Sequence, residues 1–282
     1  MDPGRHPGAG GGPAGAGAWP QGRGGRLHHA PAPEPLRPVS PSAACLLLLL
    51  AGSASAEPPV VLSSGPLAAL DQLYLHRDQG DNLERSRRLL EERLQRDPKD
   101  APALWRLGRS LVRLGEAAPK KEKADLFFRA EAAAARAAEL DPKDAEAAYW
   151  SGVAMGRKGQ SQGLWSSAFM IKPIRRRMEQ VLALDPGHGR AHLVLGELYR
   201  RLPGALGGSQ KRGLRELESA LRLSPRCTAI HPKLAEAYLD AGRTAEARGV
   251  LEDALQVSDP EDPAEFPDNL DDVRALLKSL GP

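Results

Sequence analysis

Apolar residues recur at helical spacing from about residue 66 to the end of the chain. In the first such segment, Leu67, Leu70 and Leu73 fall on one face of a helix. No convincing run of alternating apolar and polar residues appears, and the helix formers Ala, Leu, Arg and Glu dominate. The pattern therefore predicts an all-α chain.

Asp-Pro pairs punctuate this helical pattern. They begin at positions 97, 141, 185 and 259, and Ser224-Pro225 takes the remaining place. A small residue follows the first four breaks at a fixed offset: Gly108, Gly152, Gly196 and Ala235. A second small residue closes the next helix at Ala137, Ala220 and Ala254, with Val181 as the exception. Small residues at both crossings let paired helices approach closely, so the chain is predicted to repeat a two-helix unit.

The repeat resembles the tetratricopeptide pattern of about 34 residues. Trp105-Arg106-Leu107-Gly108 matches its opening motif, and Thr228–Ser258 has the standard length. Each helix pair of such a repeat exposes apolar surface until a neighbour stacks on it. The resemblance implies a right-handed solenoid of helix pairs. Leu67–Gln95 is then a degenerate opening pair, and Asp271–Leu280 is a closing helix that follows a stiff connector.

Two repeats are about ten residues too long and are lengthened by insertions. In the first, the second helix is predicted to start near Pro119 and to continue to Leu140. In the second, the surplus is Gln160–Ile171, and the next helix is predicted to begin at Pro173. This aromatic insert either lines an apolar cavity or partner surface, or packs over a helix pair as extra core. Residue types alone leave both open.

The third repeat carries a Gly-rich turn, Leu202–Ser209. Three glycines and a proline indicate a specific loop path, and Ser209 is a good cap for the helix that follows. The Lys-Ser/Thr pair of a nucleotide-binding loop is missing. We therefore predict a structural loop.

The first 56 residues differ in composition from the rest. Residues 1–40 are rich in Gly, Pro and Ala, which indicates a disordered leader or a translation start placed too early. Residues 41–56 read as a signal peptide that ends in Ala54-Ser55-Ala56. Cys45 precedes the leucines, so a lipid anchor is not evident. The expected product is an exported, periplasmic protein with a repeat domain at 57–258 and a linker and capping helix at 259–282.

Charge and motifs exclude several classes of function. The formal net charge is +3, and most of it lies in the leader, so there is no electrostatic footprint for nucleic acid. H-E-x-x-H, Gly-x-Ser-x-Gly and a Rossmann glycine run are absent. His188 and His192 are four apart, but flanking glycines place His188 in a turn. We expect no enzyme activity, no cofactor and no metal.

Repeat geometry predicts which side chains line the inner face of the solenoid. They are Trp105, Arg109, Arg113, Tyr149, Arg157, Glu197, Arg200, Arg201, Glu236 and Asp240. This mixed surface suits a peptide or protein partner, or a ligand with an apolar body and an anionic head. Ordinary solvated arginines are the competing interpretation, and self-association stays open.

One stretch resembles a particular divergent family. Its residues are Tyr149-Trp150, Gly156-Arg157, Lys172-Pro173-Ile174, Met178-Glu179, Leu184-Asp185-Pro186, Leu202-Pro203, Gly207-Gly208-Ser209 and Lys211. Together they resemble the TRAP transporter-associated TatT component family. The resemblance implies contact with a periplasmic solute-binding protein. It also implies an apolar channel for a hydrophobic organic acid, lined by Trp165, Phe169 and Met170, with Arg157 meeting the carboxylate.

Two other functions compete with that reading. Eukaryotic regulators of microtubule dynamics share a similar repeat style, but the secretory leader argues against them. A general tetratricopeptide scaffold in the cell envelope, which binds a protein segment on its concave face, is the main alternative.

Overall fold

The computed structural model describes residues 67–281, apart from the side chains of residues 164–168. This part of the chain contains eleven α-helices, one short 3₁₀ helix at Gly204–Leu206, and no strand. The α-helices are Leu67–Leu75 (α1), Asn82–Arg96 (α2), Ala101–Ala117 (α3), Lys120–Leu140 (α4), Ala145–Ser161 (α5), Leu164–Leu184 (α6), Gly189–Arg201 (α7), Gln210–Leu223 (α8), Ile230–Asp240 (α9), Thr244–Ala254 (α10) and Phe266–Ser279 (α11). The predicted all-α solenoid is confirmed. The leader and the signal peptide lie outside the described residues and stay predictions.

The Asp-Pro breaks end one helix and start the next within four residues. Asp97 ends α2, and its carboxylate accepts a hydrogen bond from the Lys99 amide at 3.0 Å. Three residues later, Asp100 caps α3 by accepting from the Ala103 amide at 2.9 Å. The third break uses a histidine instead, because His188 Nδ1 accepts from the Ala191 amide at 3.1 Å. These short turns place successive helices antiparallel.

Small residues sit where paired helices cross, as predicted. A Cβ added to Gly108 would lie only 2.9 Å from Ala134 Cβ. A Cβ added to Gly196 would lie 2.7 Å from Leu217 Cγ. One core runs from α1 to α7, and a separate cluster around Val273 joins α11 to α9 and α10. The last helix therefore closes the solenoid by covering the apolar face of the final pair.

The insert in the second full repeat is not a separate segment, and here the prediction was wrong. Helix α6 begins at Leu164 and runs through Pro173 without a break. The chain turns at Gly163, whose φ of 103° favours glycine. The surplus residues therefore extend α6 at its N-terminus, and Met170 and Ile171 pack against the main core.

One other boundary differs from the prediction. Helix α11 begins at Phe266, not Asp271, and Pro267 occupies its first turn. A proline is tolerated there because the first amide groups of a helix have no intrahelical partner.

The Gly-rich turn has the structural role that was predicted for it. The Ser209 amide donates to the Tyr199 carbonyl at 2.7 Å, and Ser209 Oγ accepts from the Arg212 amide at 3.3 Å. Gly207 has a φ of 87°. A Cβ on Gly208 would lie 1.7 Å from the Leu202 carbonyl oxygen, so the loop can close only around glycine. No helix among residues 67–281 is long and apolar enough to span a membrane.

Candidate functional site

The chain between α10 and α11 returns to the first helices of the solenoid. We call Asp259–Glu265 the return segment. Its Asp262 carboxylate lies 2.8 Å from the Arg77 guanidinium, 185 residues away in sequence. The Glu261 amide donates to the Arg226 carbonyl at 3.1 Å, which fixes the start of the segment beside α9. The return segment therefore spans the solenoid from its last repeat to its first.

Arginines from three parts of the solenoid face the return segment. We call this surface, formed by Arg77 after α1, Arg113 on α3 and Arg190 on α7, the arginine groove. Glu265 lies 2.5 Å from Arg113 and 3.4 Å from Arg77. Glu261 lies 4.0 Å from Arg190. The groove thus holds three carboxylates of one segment, which turns where the Glu265 amide donates to the Asp262 carbonyl at 3.3 Å.

Aromatic rings support these arginines. Tyr74 is fully buried, and the guanidinium groups of Arg77 and Arg109 lie 4.6 Å and 3.7 Å from the centre of its ring. Such cation–π contacts orient a guanidinium while leaving its edge free to bind an anion. The Tyr74 hydroxyl accepts from Arg113 Nε at 3.1 Å. Trp150 packs edge-on against Tyr74, with ring centroids 6.4 Å apart.

A second set of carboxylates lies on the solenoid side of the arginines. Asp71 binds Arg106 and Arg109 at 2.8 Å and 2.5 Å. Glu116 lies 2.9 Å from Arg113 and 2.6 Å from Arg157. These pairs orient Arg106, Arg109, Arg113 and Arg157 through residues of the solenoid itself.

Burial and neighbouring charges have opposite effects on the pKa values of the acidic groups. Burial raises the pKa of Asp262, but the charge of Arg77 and its hydrogen bond outweigh burial, so that pKa is lowered. For Glu116, burial also raises the pKa, and the charges of Arg113 and Arg157 bring it below its ordinary value. Both carboxylates are therefore charged at neutral pH.

The structure brings four of the predicted binding residues together at the N-terminal end. The guanidinium of Arg109 lies 5.1 Å from the centre of the Trp105 ring. Tyr149 contacts the His188 ring, with centroids 4.7 Å apart, and burial raises the pKa of its hydroxyl. Arg157 also donates to Gln160, at 3.3 Å.

The predicted residues of the third repeat form a different cluster. Arg200 contacts Glu197, Glu236 and Asp240 at 3.0, 2.6 and 2.6 Å. Arg201 contacts Glu197 at 2.7 Å. Since carboxylates from α7 and α9 already surround Arg200, this cluster ties two repeats together.

The predicted channel residues lie on another face. The side chain of Trp165 lies outside the described residues. Phe169 is 74% exposed. Met170 lines a surface cavity of about 460 Å³ together with Met155, Pro173 and Lys158. The resemblance implied that Arg157 meets the ligand carboxylate. In the structure Arg157 binds Glu116, which also binds Arg113 of the arginine groove.

Sequence reasoning missed Tyr74, Arg77, Arg190 and the return segment. The proline-bounded run from Asp259 was interpreted only as a stiff connector. Its acidic residues were a usable signal, because a charged run that contains two prolines cannot continue a helix and presents its carboxylates from a loop. Which arginines it meets depends on the curvature of the solenoid.

No cluster for a metal ion occurs among residues 67–281. Cys227 is a buried free thiol, and burial raises its pKa.

Comparisons with known proteins agree with this architecture. A family model described as regulator of microtubule dynamics protein 1-3 matches residues 67–202, a little under half of the chain. A tetratricopeptide-repeat model matches residues 211–263. No curated protein matches the chain.

Solved structures show similar folds. A thermophilic tetratricopeptide-repeat protein from Thermus thermophilus is 23% identical, with a TM-score of 0.58 over 77% of this chain and 98% of that one. MamA from Desulfovibrio magneticus is 20% identical, with a TM-score of 0.44 over 69% of this chain and 96% of that one. The repeat model, the helix pairs and the solenoid together show that this chain has a tetratricopeptide-like helical-repeat fold.

Proposed function

We propose that the chain is a non-enzymatic interaction scaffold that binds an acidic, non-helical protein segment in the arginine groove. The observation that carries the proposal is the return segment itself. It is an acidic segment outside the helices, and it lies against Arg77, Arg113 and Arg190 through its carboxylates. A groove that seats one such segment has the chemistry to seat another.

Charge complementarity supports an acidic partner. Without the return segment, the groove and its supporting layer carry six arginines and three carboxylates, which leaves three positive charges. They are Arg77, Arg106, Arg109, Arg113, Arg157 and Arg190, against Asp71, Glu116 and Glu146. Glu261, Asp262 and Glu265 supply three negative charges. A neutral or basic segment would leave buried guanidinium groups unpaired, which is costly.

Arginine suits this task better than lysine. Its planar guanidinium donates two parallel hydrogen bonds to a carboxylate while its face stacks on an aromatic ring. The Arg77 side chain is 7% exposed and that of Arg113 is 18% exposed, so their ion pairs are shielded from water. Screening by salt is then weak, and a bound carboxylate contributes more than it would on an open surface.

We expect acidic peptides to bind the full chain more tightly than amide-substituted or basic peptides of the same length. Replacing Arg190 with Gln should weaken acidic-peptide binding about fivefold, equivalent to ~1 kcal/mol for a part-exposed pair. Arg226→Gln is the matched control, because Arg226 pairs with exposed Asp259 outside the groove. Fluorescence anisotropy with labelled peptides measures both effects. Equal affinity for all three peptides, or equal loss in both variants, would contradict the proposal.

Polymerised tubulin is a useful protein probe for the same groove. The family model that matches residues 67–202 describes regulators of microtubule dynamics. Co-sedimentation that falls in Arg190→Gln and persists in Arg226→Gln would identify one partner. Co-sedimentation that is equal in both variants would place any contact with tubulin outside the groove.

A second candidate function is favoured by the cavity beside α6. In this proposal the exported chain is an accessory to TRAP-type uptake that contacts a solute-binding protein and holds a hydrophobic organic acid. Met155, Met170 and Pro173 supply apolar walls. Lys158 supplies a cation, whose ammonium group lies 3.1 Å from Glu131.

Decanoate and decanol distinguish this function from the first. We expect decanoate to bind by calorimetry and decanol to bind more weakly, because only decanoate carries a carboxylate for Lys158. Lys158→Gln should remove that difference, while Lys121→Gln, at an 82% exposed side chain, should not. Absence of decanoate binding would reject the ligand and leave the interaction scaffold untouched.

A further inference from the structure

We infer that the return segment is an internal occupant of the arginine groove, which an acidic segment of a partner displaces. This inference rests on the proposed function and adds its regulation and the pattern that a partner must carry. Asp262 and Glu265 are three residues apart and share Arg77. The Glu265 amide also donates to the Asp262 carbonyl at 3.3 Å, so a turn brings the two carboxylates to the same side. The expected partner is therefore a segment with two carboxylates three residues apart in a turn.

The return segment is held in the groove mainly by ionic contacts. Within Asp259–Glu265, Asp262 is the buried residue, and the others are part-buried or exposed. The segment belongs to no helix, and its first carboxylate, Asp259, has an 80% exposed side chain. A competing acidic segment carries carboxylates that can bind the same arginines. Exchange therefore replaces each ion pair with another of the same kind.

The two ends of the return segment are held independently of the groove. Helix α10 packs through Leu251, and α11 packs through Val273, in one apolar cluster with α9. Asn269 on α11 also donates to Thr228 at 3.1 Å. The return segment is thus a strap between two helices that are anchored in that apolar cluster.

Tethering makes the strap an effective competitor. A segment joined to its own site competes at an effective concentration in the millimolar range for short linkers. A free acidic peptide therefore binds the native chain weakly, and a partner needs additional contacts or a high local concentration. We therefore expect the groove to bind a segment with several acidic residues and not a segment with a single acidic residue.

The test uses the full chain and a labelled peptide with the sequence of residues 256–268. The double variant Asp262→Asn/Glu265→Gln removes two of the three carboxylates that the strap places in the groove, while leaving Glu261 and every groove arginine intact. We expect it to bind the peptide about tenfold more tightly than the native chain, equivalent to ~1.4 kcal/mol. Asp259→Asn is the matched control and should leave the affinity unchanged, since Asp259 pairs outside the groove with Arg226.

The outcomes separate the two proposals. Equal affinity of the native chain and the double variant overturns the internal occupant, while acidic-peptide binding by both still supports the groove. No binding by either form contradicts the proposed function as well. If circular dichroism shows that the double variant is unfolded, Glu265→Gln alone serves, because that side chain is 32% exposed. Its affinity must then rise above that of Asp259→Asn, and no rise overturns the inference.

Discussion

Replacing Arg77 with methionine is expected to lower the free energy of unfolding by about 3 kcal/mol at pH 7, since breaking a buried pair leaves its partner charge uncompensated. The partner is Asp262, whose side chain is only 8% exposed. Methionine keeps the length of the side chain and loses its charge. Arg77 also donates to the Tyr74 carbonyl at 3.1 Å, so its loss frees the end of α1 as well. Urea denaturation followed by circular dichroism measures the change.

The same variant has a pH signature. In the native chain, the lowered pKa of Asp262 contributes stability above its unfolded value of about 3.9. That stability is lost as the pH falls through the lower folded pKa. In Arg77→Met, burial still raises the pKa of Asp262, while only the charges of Arg113 and Arg190 remain to lower it. The pKa of Asp262 is therefore higher in the variant than in the native chain, and a fall in pH costs the variant less stability. The difference in the free energy of unfolding between the native chain and Arg77→Met should therefore become smaller as the pH falls below about 4.

Arg226→Met is the control for this experiment. Arg226 pairs with Asp259, but their side chains are 59% and 80% exposed. Exposed pairs contribute little to stability, typically about 0–1 kcal/mol. A loss in Arg226→Met as large as that in Arg77→Met, or a difference that does not change with pH, would mean that the Asp262 pair is not the buried anchor.

The second large effect is expected at Gly208. Alanine there places a Cβ 1.7 Å from the Leu202 carbonyl oxygen, so the backbone of the turn must move. Overpacking of this kind costs roughly 1–3 kcal/mol, and we expect a loss of about 2–3 kcal/mol in the free energy of unfolding. The turn joins α7 to α8, and its Ser209 amide binds the Tyr199 carbonyl at 2.7 Å. Movement there therefore disturbs the packing of both helices.

Gly204 in the same turn provides the comparison. A Cβ at Gly204 meets no atom within 4 Å, so Gly204→Ala should change stability little. Both variants remove the same conformational freedom from the unfolded chain, so the difference between them reports the contact with Leu202. Equal stability of Gly208→Ala and Gly204→Ala would show that the loop adapts to a side chain.

Local signals were sufficient to predict most of the fold. The turn from Asp97 to Asp100 carries its own cap and stop, and the small residue at Gly108 marks a crossing whichever helices meet there. The prediction for the insert was wrong because it placed the start of the next helix at Pro173. A proline indicates a break only when nothing else holds the helix, and here Ile174, Met178 and Val181 pack into the core on the following turns. Apolar packing overrode the missing hydrogen bond.

The candidate site was less accessible from sequence. Trp105, Arg109, Tyr149 and Arg157 follow from their register in the repeat, and the structure brings them together. The pairing of Arg77 with Asp262 joins opposite ends of the described chain. It exists because the curvature of the stacked helices brings α1 within reach of the return segment. That curvature cannot be predicted from local sequence patterns.

Hydrogen–deuterium exchange on the return segment tests the central claim most directly. In the native chain, the Glu261 amide is bonded to the Arg226 carbonyl and the Glu265 amide to the Asp262 carbonyl, so both should be protected. Adding the acidic peptide of residues 256–268 with native sequence in excess should accelerate their exchange, while the amide-substituted peptide should not. The amides of α11 after Asn269 should stay unchanged in both cases, since their partners lie within the helix. Unchanged exchange at Glu261 and Glu265 with saturating acidic peptide would contradict a groove that exchanges one acidic segment for another.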